Sequence, residues 1–464
     1  MKKFKDYQPN QMFLLPPDPR DWLPEGHLAF FVSDVVDQLD LSFITSYYNS
    51  NRGQPPFNPA MMTKLIVYAY CIGVPSSRKI EEKTYTDVAF RVLAANRHPD
   101  HDTIANFRRT HLEALSNIFA QVLALCREAK LVRLGHVSLD GSKMRANASK
   151  HKAMSYGRMG EKIAELEQTV KELMGRAERT DEAEDRRYGK GRKGDELPEE
   201  LRLRTRRLQT LREAKAALEE RARQKARAEG NPDTHPPGRP DTNRRDDESD
   251  RPKSRRGRKP KTPPGMPKDK DQINFTDPDS RIMKDGATKS FEQAYNCQAA
   301  VDDKAQIIIA ADVTQEANDK QQLKPMVEQI RANTGETPRK ISADSGYFSK
   351  DNIEHLQEQD IDPYIATGRQ KHSEPKRPPP RGRIPDNLGV KERMQRKLRT
   401  IKGRAAYSKR KGIAEPVFGQ IKGARGFRQF LLRGLEAVRC EWRIICAGHN
   451  LLKLFRSRWR PQTV

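Results

Sequence analysis

Between Asn231 and Lys270 the chain holds nine Pro, twelve Lys and Arg, and a single large apolar residue, Met266. Such a stretch buries too little apolar surface to offset the entropy of ordering it, and each Pro removes a backbone donor that a helix or sheet needs. It reads as a linker, so the folded parts must lie on either side of it. At 464 residues the chain has room for two or three domains of roughly 100–200 residues each. Hydrophobic residues are 35% and charged residues 33%, which confines the core to particular segments.

Lys and Arg outnumber Asp and Glu by 88 to 63, a formal net charge of +25, and a surplus of that size points to a polyanionic partner. Nucleic acid is favoured over a membrane surface. The longest apolar stretches, such as the one starting at Leu65, fall well short of the roughly 18–20 residues of a spanning helix. Met1–Gln11 has early lysines but no apolar run behind them, so export is not expected. Cys71, Cys126, Cys297, Cys440 and Cys446 show no C-x-x-C and no zinc-ligand spacing with histidines, which leaves reduced, core-packing thiols as the expectation. A disulfide scaffold, a membrane channel and a simple zinc finger are excluded.

Residues 1–130 read as helical. Pro59 opens an apolar stretch with Met61, Leu65, Tyr68 and Ile72 on one face, closed by Gly73-Val74-Pro75. Short helices follow over Ser77–Thr84 and Asp87–Ala95. A longer one carries Ile104, Phe107, Leu112, Leu115 and Ile118, capped by Asp102 or Thr103. A helix-turn-helix variant and a plain packing domain fit this pattern equally. At His136 the texture becomes strand-like, and Asp140 stands near the end of that strand. Residues 160–226 hold two amphipathic helices, with Ile163, Leu166, Val170 and Leu173 on one and Leu208, Leu211, Lys215 and Leu218 on the other, which suggests an antiparallel coiled-coil hairpin. Within the linker, Ser254–Lys261 has an Arg-Gly-Arg core that suits either a minor-groove hook or a generic basic tether. From Phe291 the order is β-hairpin, helix from Asp319 to Ala332, strand ending at Asp344, short helix and strand, an α/β layout with a mixed sheet. The chain then turns helical again to about Phe455.

Asp140 and Asp344 each end an apolar strand and are followed by small residues, Gly141-Ser142 and Ser345-Gly346. That leaves a carboxylate open to a hydrated cation or a phosphate, although a lone Asp at a strand end is more often a turn former. Two such carboxylates and a third from a helix can hold two Mg²⁺ ions about 3.5–4 Å apart for phosphodiester chemistry. The third candidate is Glu415. At about 100° per residue, Tyr407, Lys411, Glu415, Phe418 and Lys422 share one helical face, although Gly412 and Pro416 put the helix's continuity in question. Asp312 is a further acidic candidate at a strand end. Glu441, Trp442 and His449 look like core packing.

The motifs DGSKMRANASK, ISADSGYFS and YSKRKGIAEPVFGQIK, in that order, resemble the DDE transposases of bacterial insertion sequences, whose last catalytic helix bears a Tyr, Arg, Glu and Lys signature. GQPPFNPAMMTKLIVYAYCIGVPSSRKIEE with DTIANFRR resembles the InsH-like helical domain that precedes the catalytic domain in one such group. The resemblance spans about residues 15–150 and 275–455. It implies a ribonuclease-H-like core interrupted by the charged insert, with Asp140, Asp344 and Glu415 as catalytic metal ligands and Tyr407 and Lys422 as DNA contacts. For the signature arginine, Arg410 has the right spacing from Tyr407 and Lys411 the right spacing from Glu415. The helical wheel favours Lys411, because Arg410 falls about 140° from Glu415.

The expected domains are then a helical DNA-binding domain over 1–130, a catalytic domain of 131–150 with 275–455, an inserted hairpin and linker over 151–274, and a basic tail from 456 to 464. The expected activity is binding of terminal inverted repeats, followed by DNA cleavage and strand transfer with two Mg²⁺, for which Mn²⁺ could substitute. Double-stranded DNA is the expected partner, with a homodimer assembled on it, no membrane, and a cytoplasmic, nucleoid-associated location. A non-catalytic DNA-binding derivative and a purely hydrolytic ribonuclease-H-like nuclease are the alternatives.

Overall fold

The computed structural model describes residues 18–48, 55–188, 199–228, 262–263, 265–286, 289–368, 378–380, 382–383, 385 and 387–460. The basic motif Ser254–Lys261, most of the Pro-rich linker and the last residues of the basic tail lie outside them. The described residues fall into two compact units, one drawn from Met1–Asn147 and Met283–Val464, the other from Ala148–Ile282.

The first unit begins with α1 (Leu28–Gln38), α2 (Ser42–Thr45), α3 (Pro59–Ile72), α4 (Ser77–Thr86), α5 (Val88–Leu93), α6 (His101–Thr110) and α7 (Leu112–Glu128). In α3, Asn58 caps the N-terminus through Ala60 and Met61, and Gly73 ends the helix at φ 79°. Residues Met62 to Cys71 of α3 are all buried except Lys64, so this is a core helix and not the one-faced helix the spacing suggested. Two boundaries also differ from expectation. Asp100, not Asp102 or Thr103, caps α6, its carboxylate accepting from the Thr103 N–H at 2.7 Å. The long helix divides at His111, whose backbone (φ −107°, ψ 23°) leaves the helical region.

The strands are β1 (Val137–Arg145), β2 (Ala153–Ser155), β3 (Gln272–Asn274), β4 (Arg281–Lys284), β5 (Phe291–Asp302), β6 (Ile308–Thr314), β7 (Lys340–Ala343) and β8 (Asp362–Ile365). β5 is the hub of the large sheet. It runs antiparallel to β1 from Val137↔Asp302 to Arg145↔Ala294 and antiparallel to β6, with β4 also at its side. β1 then pairs parallel with β7, and β7 parallel with β8. The sheet is therefore mixed, as the alternation of hairpin and crossover predicts.

The second unit holds α8 (Tyr156–Tyr188), α9 (Glu199–Ala228) and the antiparallel pair β2–β3. Tyr156 bonds Glu219 and Glu167 pairs with Arg212, a crossing order that makes the helices antiparallel. Ile163, Leu166, Leu208, Leu211 and Leu218 form the buried seam, while Lys215 places its ammonium over the Tyr156 ring. The two strands at the insert's ends had no sequence signature, because three residues are too few to show alternation.

In the first unit the chain continues through α10 (Leu323–Thr334), α11 (Lys350–Glu358), α12 (Val390–Arg399), α13 (Ile401–Ile413), α14 (Glu415–Gly419) and α15 (Leu435–Arg456). Buried α15 packs against α3, α7 and β6. Its Asn450 brackets Ile308, accepting from the backbone N–H at 2.9 Å and donating to the carbonyl at 2.8 Å. Its Trp442 donates Nε1–H to the Gln298 carbonyl at 3.0 Å. Arg425 ties α3 to α15 by donating to the carbonyls of Tyr70 and Ile445. Gly73 is required there, since a Cβ would stand 2.2 Å from the Arg425 carbonyl oxygen.

Candidate active site

The register of two parallel strands brings the first two acids together. Ser138 of β1 faces Ser342 of β7, and Asp140 and Asp344 each follow two residues later. They stand at matched positions on strands that lie roughly 4.8 Å apart. Asp344 ends β7 by capping a short turn, accepting from the Gly346 N–H at 2.8 Å. Asp140 accepts from the Gly141 N–H at 3.1 Å.

Helices α13 and α14 supply the opposing charges. Arg410 reaches to 3.6 Å from Oδ2 of Asp140 and 3.4 Å from Oε1 of Glu415, with 13% of its side chain exposed. Its Nε is buried without a partner, and its guanidinium stands 6.0 Å from the centre of the Tyr407 ring. Lys411 is exposed, so the helical wheel chose the wrong residue. The wheel assumed one continuous helix, but α13 stops at Ile413, α14 restarts at Glu415 with Pro416 in its first turn, and a π-helical turn over Gln420–Ala424 follows. Each break shifts the angular bookkeeping. Lys422, on that π turn, is half-buried and donates to the Lys143 carbonyl at 2.6 Å. Phe418 faces inward and stacks on Trp442.

Burial pushes the Asp140 carboxyl up to about 6; Arg410 pulls it down, and Asp344 and Glu415 push it further up. Burial works against the charge of Arg410, but Asp140, Tyr407, Asp344 and Glu415 together raise its pKa. Burial also raises the Tyr407 phenol, with Arg410 opposing. The site is thus a partly dehydrated carboxylate pair with one loosely held guanidinium against it. Among the described residues, no three His, Cys, Asp or Glu side chains converge into a metal-holding cluster. Arg410 takes the space between Asp140 and Glu415.

Asp312 does not join this group. It pairs with Arg439 of α15 at 3.1 Å. Glu441 is buried and accepts from the Leu431 and Leu432 N–H groups. His449 bonds the Gln306 carbonyl at 3.0 Å, a packing role as expected. Sequence reasoning missed Asp319, which it placed on a helix. Pro325 sits comfortably only in a first helical turn, so α10 starts at Leu323 and leaves Asp319 in the preceding turn. There it accepts from Asn296 and Gln298 of β5, both at 2.7 Å. Two buried amides at i and i+2 in an apolar strand were the available signal. Also missed was the run after the π turn, which lies beside the end of β1 through Arg145 N–H to Arg428 and Phe430 N–H to Arg145.

Comparison with curated proteins and with solved structures gives no match. Two family models do match. Residues 17–110 fit a transposase domain (DUF772) and residues 260–451 fit the transposase DDE domain. The second match contains Asp344 and Glu415, while Asp140 reaches the site from outside it, through the β1–β7 register. The two matches, one to each of two transposase domains, indicate a transposase that carries a DDE domain.

Proposed function

We propose that this transposase acts for an insertion sequence, binding its terminal inverted repeats as double-stranded DNA and catalysing strand cleavage and strand transfer at Asp140, Asp344 and Glu415. The observation that supports the reading is the matched placement of Asp140 on β1 and Asp344 just past β7, its parallel neighbour, with Arg410 of α13 standing between Asp140 and Glu415 of α14. The strand order β6-β5-β1-β7-β8, three antiparallel and then two parallel, supports a ribonuclease-H-like core.

The donor set suits Mg²⁺, or Mn²⁺ in its place, because carboxylate oxygens are the ligands such hard cations prefer. Asp140 and Asp344 would hold the ions, with Glu415 completing the set. Bound cations supply Lewis-acid stabilisation of the attacking and leaving oxygens. Arg410 is suited to a scissile phosphate: its contacts to the acids are long and its Nε lacks a partner, so it can exchange them for a bidentate phosphate contact. Tyr407 and Lys422 flank it on the same stretch and would contact the DNA backbone, which assigns the Tyr, Arg, Glu, Lys signature to Tyr407, Arg410, Glu415 and Lys422. Residues 1–130 would recognise the element ends, residues 131–150 with 275–455 would do the chemistry, and the insert of 151–274 would add basic surface. A homodimer on DNA, in the cytoplasm, fits an enzyme that must hold two ends. Among the described residues no helix is long and apolar enough to cross a membrane.

The test uses duplexes taken from the DNA flanking the coding sequence. In Mg²⁺ the wild type should cut and join them. Asp140→Asn, Asp344→Asn and Glu415→Gln should bind nearly as well but cleave slower by about 10³-fold or more, the effect of losing several kcal/mol of transition-state stabilisation. Cleavage without joined products would favour the hydrolytic nuclease. Binding without cleavage by the wild type would favour the non-catalytic derivative.

A further inference from the structure

Asp140 and Gly141 are neighbours in β1, so their side positions face opposite sides of the sheet. On the side of Gly141 stands a fourth carboxylate, that of Asp319. A Cβ at position 141 would lie 2.7 Å from Oδ1 of Asp319 and 2.6 Å from Nε2 of Gln298. A Cβ at Gly346 would lie 3.1 Å from Oδ2 of Asp319 and 3.0 Å from Oδ1 of Asp344. The two glycines that follow the paired aspartates therefore leave the room that Asp319 fills.

Its partners are neutral. Oδ1 accepts from the buried amides of Asn296 and Gln298. Asn296 is itself fixed by donating to the Glu316 carbonyl at 3.0 Å, and Gln298 by accepting from the Tyr347 hydroxyl. Amides orient a carboxylate without cancelling its charge, as an Arg or Lys would. A third negative charge kept close behind Asp140 and Asp344 is unfavourable without a cation and favourable with one.

We propose that Asp319 is a positioning residue of this site, one whose carboxylate, seated beside Gly141 and Gly346, adds its charge to the field drawing a divalent cation to Asp140 and Asp344. The inference rests on the reading of that pair as the cation site. Calorimetric titration of Mn²⁺ into the full-length, DNA-free protein tests both. Asp319→Asn and Asp319→Ser should each bind Mn²⁺ about 10–100-fold more weakly, the usual effect of removing a supporting partner of metal ligands. Their melting temperature in chelator should equal or exceed that of the wild type, because a like-charge repulsion is gone. Wild-type affinity in both variants, with binding lost in Asp344→Asn, would overturn the role of Asp319 and leave the cation site standing. Weaker binding with a lower melting temperature in chelator would reduce Asp319 to a structural residue and overturn it too. Mn²⁺ binding that survives in both Asp140→Asn and Asp344→Asn would overturn the cation reading of the pair, and the inference with it.

Discussion

In the sheet-bearing unit Arg108, Arg425, Asp302, Glu441 and His449 are each no more than 8% exposed. In the α8–α9 hairpin the buried seam is apolar, Ile163 and Leu166 against Leu208, Leu211 and Leu218, and pairs such as Glu167–Arg212 stand at the surface. The first arrangement fixes one geometry, because each buried charge demands particular partners. The second needs only hydrophobic side chains of suitable size at suitable spacing, so it tolerates change and specifies less.

The sharpest way to break this contrast is at Glu441. Its carboxylate satisfies two backbone N–H groups, of Leu431 and Leu432, at 2.9–3.1 Å, and it neighbours Tyr70 and Arg108. Glu441→Leu should cost about 3–5 kcal/mol, the range for breaking a buried charged network by removing one partner. A denaturant melt of the full chain, followed by tryptophan fluorescence from buried Trp442, measures it. A loss under about 1 kcal/mol would mean that the buried polar groups do not specify this unit.

Leu211→Ala is the matching cut in the hairpin. With Leu211 at 3% exposure, the expected loss is about 2–3 kcal/mol, toward the low end for buried leucines because a two-helix seam can collapse around the gap. Hydrogen exchange should show faster exchange in α8 and α9 and unchanged protection in β1, β5 and β7. Equal loosening of the sheet would show that the two units fold as one cooperative block.

Acid should separate the units as well. Burial, helped by Arg425, depresses His449 from 6.5 to about 3. Folded protein therefore keeps this imidazole neutral, while the unfolded chain takes up a proton below about pH 6.5. Its contribution is complete above that pH and is lost as pH falls toward 3, at about 1.4 kcal/mol per pH unit, or roughly 2 kcal/mol by pH 5. His449→Gln should flatten this slope in the sheet unit and leave the hairpin's helical signal alone. An unchanged slope would assign the acid sensitivity to other groups.

The contrast also explains what was legible in the sequence. The hairpin could be read because a leucine seam is periodic, and Asp140 and Asp344 stood out because each follows a short apolar run and precedes small residues; the expected strand end holds only for Asp344, since β1 continues past Asp140 to Arg145 in its pairing with β5. Next to Glu415 the wheel pointed to Lys411 where the structure sets Arg410, since a wheel cannot see the break between α13 and α14 or the π turn beyond it. Asp319 escaped because its place depends on the β5 register and on Gly141 and Gly346 leaving space, contacts between residues far apart in sequence. Periodicity reports which face is buried, and it is silent about which distant polar groups meet there.

The smallest effect belongs to the surface pair. Arg212 and Glu167 approach to 2.7 Å, but their side chains are 59% and 46% exposed, so water screens the attraction and holding two long side chains still costs entropy. A double-mutant cycle of Arg212→Ala and Glu167→Ala should give a coupling of about 0.2–1 kcal/mol, shrinking further in added salt. The cycle separates pairing from every other effect of shortening the arginine, which a single Arg212→Ala would mix with it. Coupling above about 2 kcal/mol, insensitive to salt, would mean that the hairpin's surface charges specify its helix register in the manner of the sheet unit's buried ones, and the distinction between the two units would have to be redrawn around geometry and not burial.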